Sequence, residues 1–252
     1  MKLTVLGCGT YVSGSEKAAS GFLVGNGEQQ IALDLGFGAF KNLQKVLSPD
    51  KVNALFFSHF HPDHIHDLAA FLFNRYGLVK ANISVPVQVN LFGPKGLLDY
   101  YAKCSELYPG FFSRLGFPVS VKELDYSREK IFGYSVSSKP VKHSGAIGFR
   151  VEFAGKTIAY SGDTGYCEEI VDLGKNADLL VLECTFLDEK TSDEHLNAME
   201  CGKIAVQAKA KKILLTHLLP ETEKKKKEAI EIVKKQFSGK VLVAKDLMEV
   251  KV

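Results

Sequence analysis

No two cysteines in this chain are spaced as CxxC. The five present, Cys8, Cys104, Cys167, Cys184 and Cys201, are odd in number and widely scattered. Such a set fits reduced thiols in a cytosolic protein better than a disulfide framework. No charged leader with a long apolar stretch opens the sequence, because Met1-Lys2-Leu3-Thr4-Val5 enters a strand pattern at once. No apolar run is long enough to span a membrane. The expectation is a cytoplasmic protein without a membrane partner. No Pro/Ser-rich linker divides the 252 residues, so one domain over 1–252 is expected. A large excess of either charge is also lacking: 32 Lys and Arg against 29 Asp and Glu leave a net charge of +3, which gives no argument for a nucleic-acid partner. The hydrophobic fraction of 46% is ample for a large core.

What the chain does have is concentrated in Ser58-His59-Phe60-His61-Pro62-Asp63-His64. Ala54-Leu55-Phe56-Phe57 before it reads as a buried strand, and Pro62 suits the first turn of a helix, where a missing N–H costs nothing. The cluster thus falls at a strand-to-helix junction, where α/β sheets present their chemistry. Imidazole and carboxylate are ligands for zinc, manganese or iron. His59 and His61, two apart on an extended backbone, project to one side and can grip one ion. Asp63 and His64 follow as the chain turns and can face a second.

The pattern HxHxDH resembles the signature of the metallo-β-lactamase fold superfamily of metal-dependent hydrolases. The resemblance covers essentially the whole chain. It implies an α/β fold, a four-layer αββα sandwich with metals at one edge between the sheets. It also implies three further ligands in the order His, Asp, His, and His143, Asp163 and His217 stand in that order. Two divalent ions are implied, Zn2+ first and Mn2+ or Fe2+ as alternatives. His59, His61 and His143 are then expected on one ion, Asp63, His64 and His217 on the other, and Asp163 between them. A water bridging the ions loses its proton near neutral pH in such sites and attacks in line, with Asp63 also orienting it. Asp34 is expected to support the HxHxDH loop; from the residues alone it could equally cap the helix over 39–47.

Within that superfamily the ribonuclease Z-like branch is the nearest resemblance. Gly7-Cys8-Gly9-Thr10 and Tyr160-Ser161-Gly162-Asp163-Thr164 carry it, together with Glu183 at a strand end and His195 on a helix-entry loop. The resemblance implies that Glu183 supports His195, a non-ligand that meets the phosphate or protonates the leaving alkoxide. Two departures matter. His143 and Asp163 are separated by only two short strands and a turn, with no room for the arm that grips transfer RNA. His195-Leu196-Asn197 also replaces the usual His-Ser/Thr-Thr. Transfer RNA is therefore not the expected partner. The expected substrate is a small-molecule, cyclic or short-nucleotide phosphodiester. A thioester or lactone hydrolase of the glyoxalase II type is the alternative enzyme, and a non-catalytic metal sensor the alternative class.

The rest of the pattern is less specific. One strand is expected over 131–138, and helices over 67–76 and 221–236. Lys224-Lys225-Lys226-Lys227, flanked by Glu223 and Glu228, reads as a solvated face. The aromatic stretch around Phe111 fits core, a homodimer interface or a pocket wall.

Overall fold

The computed structural model describes residues 1–12, 14, 16–126, 128–188 and 192–252. Six strands come first: β1 (Lys2–Gly7), β2 (Gly21–Gly25), β3 (Gln30–Leu35), β4 (Val52–Phe56), β5 (Val89–Gly93) and β6 (Val119–Glu123). Seven follow: β7 (Arg128–Ile131), β8 (Tyr134–Pro140), β9 (Ile147–Phe153), β10 (Lys156–Tyr160), β11 (Leu179–Glu183), β12 (Lys212–Thr216) and β13 (Lys240–Val243). The last strand, β14 (Glu249–Lys251), returns to the first sheet. The sheet orders are β14-β1-β2-β3-β4-β5-β6 and β13-β12-β11-β10-β9-β8-β7. In each sheet an antiparallel part meets a parallel part, at β3, which carries Asp34, in the first and at β10, which leads to Asp163, in the second.

Period-2 alternation explains the layering. Leu3 and Val5 of β1, Ala54 and Phe56 of β4, Phe149 of β9, and Leu179 and Val181 of β11 share one buried cluster between the sheets. The intervening residues face outward onto helices. Leu55 and Leu91 pack with Leu43 of α1 (Ala39–Val46), Phe71 of α3 (Leu68–Lys80) and Leu97 of α4 (Leu97–Leu107). Between α1 and α3 lies the single turn α2 (Pro62–Ile65). On the other side Leu180, Leu182 and Ile213 pack with Ile170 of α5 (Glu168–Leu173) and Ile204 of α6 (Ala198–Gln207). Val233 joins them after α7 (Pro220–Lys224), from α8 (Lys226–Lys234). The result is the expected αββα sandwich. Among the described residues no helix is long and apolar enough to cross a membrane.

Three expectations about elements change. The single strand over 131–138 is a hairpin, β7 and β8, turning at Phe132-Gly133 with φ 51° and 80°. Two successive positive φ values suit the right-handed twist of a tight hairpin, and a phenylalanine at the first of them hides the signal. The helix over 67–76 runs on to Lys80. The helix over 221–236 is two, broken at Lys225 with φ −103° and ψ 22°. Thr222 fastens α7 to the Thr185 carbonyl, whereas α8 packs through buried Ala229 and Val233, so the two pieces follow different supports. Lys224, Lys225 and Lys227 are exposed, as a solvated face requires. Phe111 is half-buried in an aromatic cluster with Phe73, Tyr76, Tyr108 and Phe112.

One buried cation holds the entrance to β4. Arg75 is 1% exposed and lies between the Phe71 and Phe117 rings. Its Nη1 donates to the Pro49 and Val52 carbonyls and to Asn53 Oδ1, and its Nη2 to the Val87 carbonyl. Arg75→Met keeps the volume but strands these acceptors, at about 1–3 kcal/mol for each one left buried and unpaired. Denaturant melts of the variant should show at least about 3 kcal/mol lost; an unchanged midpoint would show that water replaces the guanidinium.

All five cysteines are free, and Cys8, Cys184 and Cys201 are buried. Burial, joined by the Asp246 carboxylate, pushes the Cys8 thiol up to about 12. Thiolate is the reactive form, so Ellman's reagent at pH 8 should titrate only Cys104 and Cys167 in the native protein and all five after unfolding.

Candidate metal centre

β4 ends at Phe56, and the chain leaves the sheet through Ser58 into buried His59. His61 caps α2 with φ −64° and ψ 144°, and Pro62 opens the helix as its missing N–H allows. The turn closes with the His64 N–H on the His61 carbonyl at 2.9 Å. Asp63 and His64 thereby point inward and are buried. His143 comes from the loop between β8 and β9, Asp163 from the end of β10 after Gly162 (φ 59°), and His217 from the end of β12 with φ 57°.

These side chains converge on two overlapping sets. One nitrogen or oxygen from each of His59, His61, His143 and Asp163 lies within 4.8 Å of the others, and so do those of Asp63, His64, Asp163 and His217. Asp163 belongs to both. His59 Nε2 is 3.1 Å from His61 Nδ1, and His143 Nε2 is 3.3 Å from the same atom. His64 Nε2 is 3.2 Å from Asp163 Oδ1, yet both atoms are buried and lack a hydrogen-bond partner. Orphaned buried polar atoms are rare in proteins, and lone pairs crowded this closely are what a cation relieves. The donor set therefore fits divalent metal.

The electrostatics favour ligation at His59, His143 and Asp163, and at His64 they require a proton to leave when a cation enters. Burial, reinforced by His64, holds His59 well below its ordinary value, and burial lowers His143 as well. Neutral imidazole is the ligating form. Burial opposes ionisation of Asp163, but His217 and His64 outweigh it and hold the carboxyl well below the usual range. Burial also opposes charge on His64, and the Asp163 and Asp34 carboxylates outweigh it in turn, raising that imidazole.

Glu183 and His195 meet at the rim. Glu183 is fully buried at the end of β11, and its Oε1 lies 2.8 Å from His195 Nδ1. The same carboxylate accepts the Thr164, Thr185 and Leu196 N–H groups and the Thr185 hydroxyl. Burial opposes a charge on His195, but the hydrogen bond to Glu183 prevails and raises it. Its ring lies 5.2 Å from that of His143 and 5.9 Å from that of His217, parallel to the latter.

Asp34 is a support and not a helix cap: Gly38 occupies the cap position of α1. Held at φ 55°, Asp34 accepts the Ser58 N–H at 2.6 Å and the Ser58 hydroxyl at 2.7 Å. Its Oδ2 is also 2.7 Å from His64 Nδ1 and accepts the Tyr160 hydroxyl at 2.6 Å. The loop comes close to β3 because Gly36 has no side chain: a Cβ there would lie 2.0 Å from the Asp63 carbonyl oxygen.

Sequence reasoning missed several supports. Tyr160 was readable, being the last residue of the strand before Ser161-Gly162-Asp163. Thr185, whose hydroxyl is 3.0 Å from His217 Nδ1, follows Glu183 by two. The Gly7–Thr10 turn acts through its backbone, since the Cys8 carbonyl accepts the His217 N–H at 3.1 Å. Asp246 holds that turn by accepting the Cys8 and Ala18 N–H groups and Asn42 Nδ2, and no local pattern announces a contact across 238 residues.

Two donor sets sharing one aspartate, presented between two sheets at their strand ends, are what a metal-dependent hydrolase of the metallo-β-lactamase type has to build. The chain belongs to the β-lactamase superfamily, whose domain model matches residues 30–218. It is 29% identical over 255 residues to the probable metallo-hydrolase YhfI of Bacillus subtilis, covering 97% of each chain. The YhfI crystal structure superposes with a TM-score of 0.84 over 99% of this chain and 98% of that one, at 24% identity. Human tRNase Z, short form, gives a TM-score of 0.79 at 22% identity, covering 100% and 99%. A diphosphatase from the PhnP family gives 0.73 at 18% identity, covering 100% and 97%. These likenesses to solved structures show the fold.

Support of this kind is worth a measurable amount of metal affinity. Asp34→Asn keeps the shape but removes the charge facing His64. Such a change should weaken metal binding about 10–100-fold, read by competition with a chromophoric chelator. Unchanged affinity would mean that Ser58 and Tyr160 alone orient the loop.

Proposed function

We propose that the chain is a dinuclear phosphodiesterase acting on a small, cyclic or nucleotide phosphodiester. The observation that carries this reading is the Glu183–His195 pair standing beside both donor sets. Two of the similar solved structures, tRNase Z and the PhnP-family diphosphatase, carry names of phosphate chemistry. Their likeness supports the reading of the reaction class.

His59, His61 and His143 would hold one ion, and Asp63, His64 and His217 the other, with Asp163 shared; zinc leads, with manganese or ferrous iron as alternatives. Bound divalent metal supplies an acidified water and neutralises charge on a phosphoryl oxygen. The protein does the rest. Asp63, with Oδ2 3.2 Å from His217 Nε2, is placed to orient a water. Glu183 fixes His195 through Nδ1, leaving Nε2 to donate to a phosphate oxygen or to the departing alkoxide. Asp163 is buried beneath the exposed His61, so the centre opens to solvent on the His61 side only at its outer donor set.

The size of the substrate follows from the loops. β9 and β10 are joined by Ala154-Gly155 alone, so nothing between His143 and Asp163 can reach out to a transfer RNA. Five free thiols support a cytoplasmic setting.

Zinc- or manganese-loaded protein should hydrolyse bis(p-nitrophenyl) phosphate, and His61→Ala should lose both activity and metal. His195→Ala should keep its metal and lose about 10²–10⁴-fold in kcat. A fully loaded protein that leaves the diester intact but cleaves a thioester or lactone would replace this reading with a glyoxalase II-type hydrolase.

A further inference from the structure

A cleft of about 470 Å3 adjoins the metal centre on its His143 side. Three chain segments wall it: Pro94-Lys95 before α4, residues 123–126 from the end of β6 onward, and residues 140–147, which carry His143. His143 is common to the cleft and to the first donor set. Its ring is also in contact with that of His195. A phosphate held at the centre is therefore within reach of the cleft.

The lining has two characters. Leu124, Val141, Ala146 and Ile147 are apolar and at least partly buried. Lys95, Asp125 and Tyr126 are exposed, and Tyr126 shows 59% of its surface. Glu123 also lines the cleft, but its carboxylate is engaged: Oε1 accepts the Gly96 and Leu98 N–H groups at 2.8 and 3.1 Å at the start of α4. Asp125 is thus the acceptor left facing the space, Lys95 the donor, and Tyr126 the ring.

We propose that this cleft is the subsite for the nucleoside arm of the substrate, with Tyr126 stacking on the base. The assignment rests on the phosphodiesterase reading above and names its substrate class. The volume lies inside the range of about 300–1,000 Å3 common for small-molecule pockets. A lipid arm would use the apolar floor but strip water from Lys95 and Asp125 without replacing it, which is costly. A bare sugar or alkyl phosphate would use the polar pair and leave the ring and floor idle. A nucleoside satisfies both, because its base has an aromatic face and an edge of donors and acceptors, and its ribose adds hydroxyls. Aromatic side chains give every base a stacking surface irrespective of its identity.

The test compares two ligands that differ only in the base, adenosine 5′-monophosphate and ribose 5-phosphate, by calorimetry on zinc-loaded protein. Wild type should bind the nucleotide more tightly. Tyr126→Ala should weaken the nucleotide about tenfold, in keeping with the cost of losing one base–aromatic stack. It should leave ribose 5-phosphate unchanged, and Tyr126→Phe should retain the preference. Equal binding of the two ligands to wild type overturns the proposal. So does a preference that survives in Tyr126→Ala, or a loss of equal size on both ligands. The reaction assignment fails separately. A base preference without turnover of bis(p-nitrophenyl) phosphate would leave the subsite standing and remove the diesterase.

Discussion

Everything at the site depends on a buried carboxylate that joins the two sheets. Asp34 stands on β3 of the first sheet, and the Tyr160 hydroxyl that it accepts comes from β10 of the second. The same two oxygens fix the first residue of the metal loop, Ser58, and the ring of His64. A carboxylate buried at 1% exposure is tolerable only when its lone pairs are satisfied. The cost of burying Asp34 therefore enforces the register between the sheets and the orientation of the loop together. A displacement of either sheet would leave a charge unpaired.

The convergent donor residues were legible because their chemistry is local. Three histidines and an aspartate in six residues announce themselves, and strand ends then supply His143, Asp163 and His217 in order. The layering was legible from alternation along strands such as β11. What stayed hidden depends on contacts with no local signature. The Asp246 carboxylate acts on Cys8, whose carbonyl acts on His217, and neither step leaves a pattern in the neighbouring residues. The Phe132-Gly133 turn was hidden for another reason: tertiary pairing of β7 with β8 imposes a left-handed backbone on a residue with no preference for it. From the residues alone the support role of Asp34 was readable only beside helix capping, since a helix begins a few residues later.

The site also shows how one set of charges serves two ends. The His217 and His64 imidazoles flank Asp163 closely enough to favour its ionised form, while burial favours neutral His59. Both conditions favour cation binding, and both follow from packing between the sheets. On the rim the balance shifts. His195 is only half-buried and its protonated form is favoured by the Glu183 carboxylate, which suits a donor better than a ligand.

The return of β14 to the first sheet has a consequence for the order of assembly. β14 pairs with β1 in antiparallel register, and Asp246, just before it, secures the turn that holds His217. The earliest and latest segments of the described fold thus meet beside the metal centre. During synthesis the first half can gather the HxHxDH loop, but its sheet lacks an edge strand until residues 249–251 have emerged. Contacts of such high sequence separation close slowly, because the intervening chain must be ordered first. The turn behind His217 therefore depends on a contact of high sequence separation, and a chain that has lost β14 would be left with β1 as an open edge.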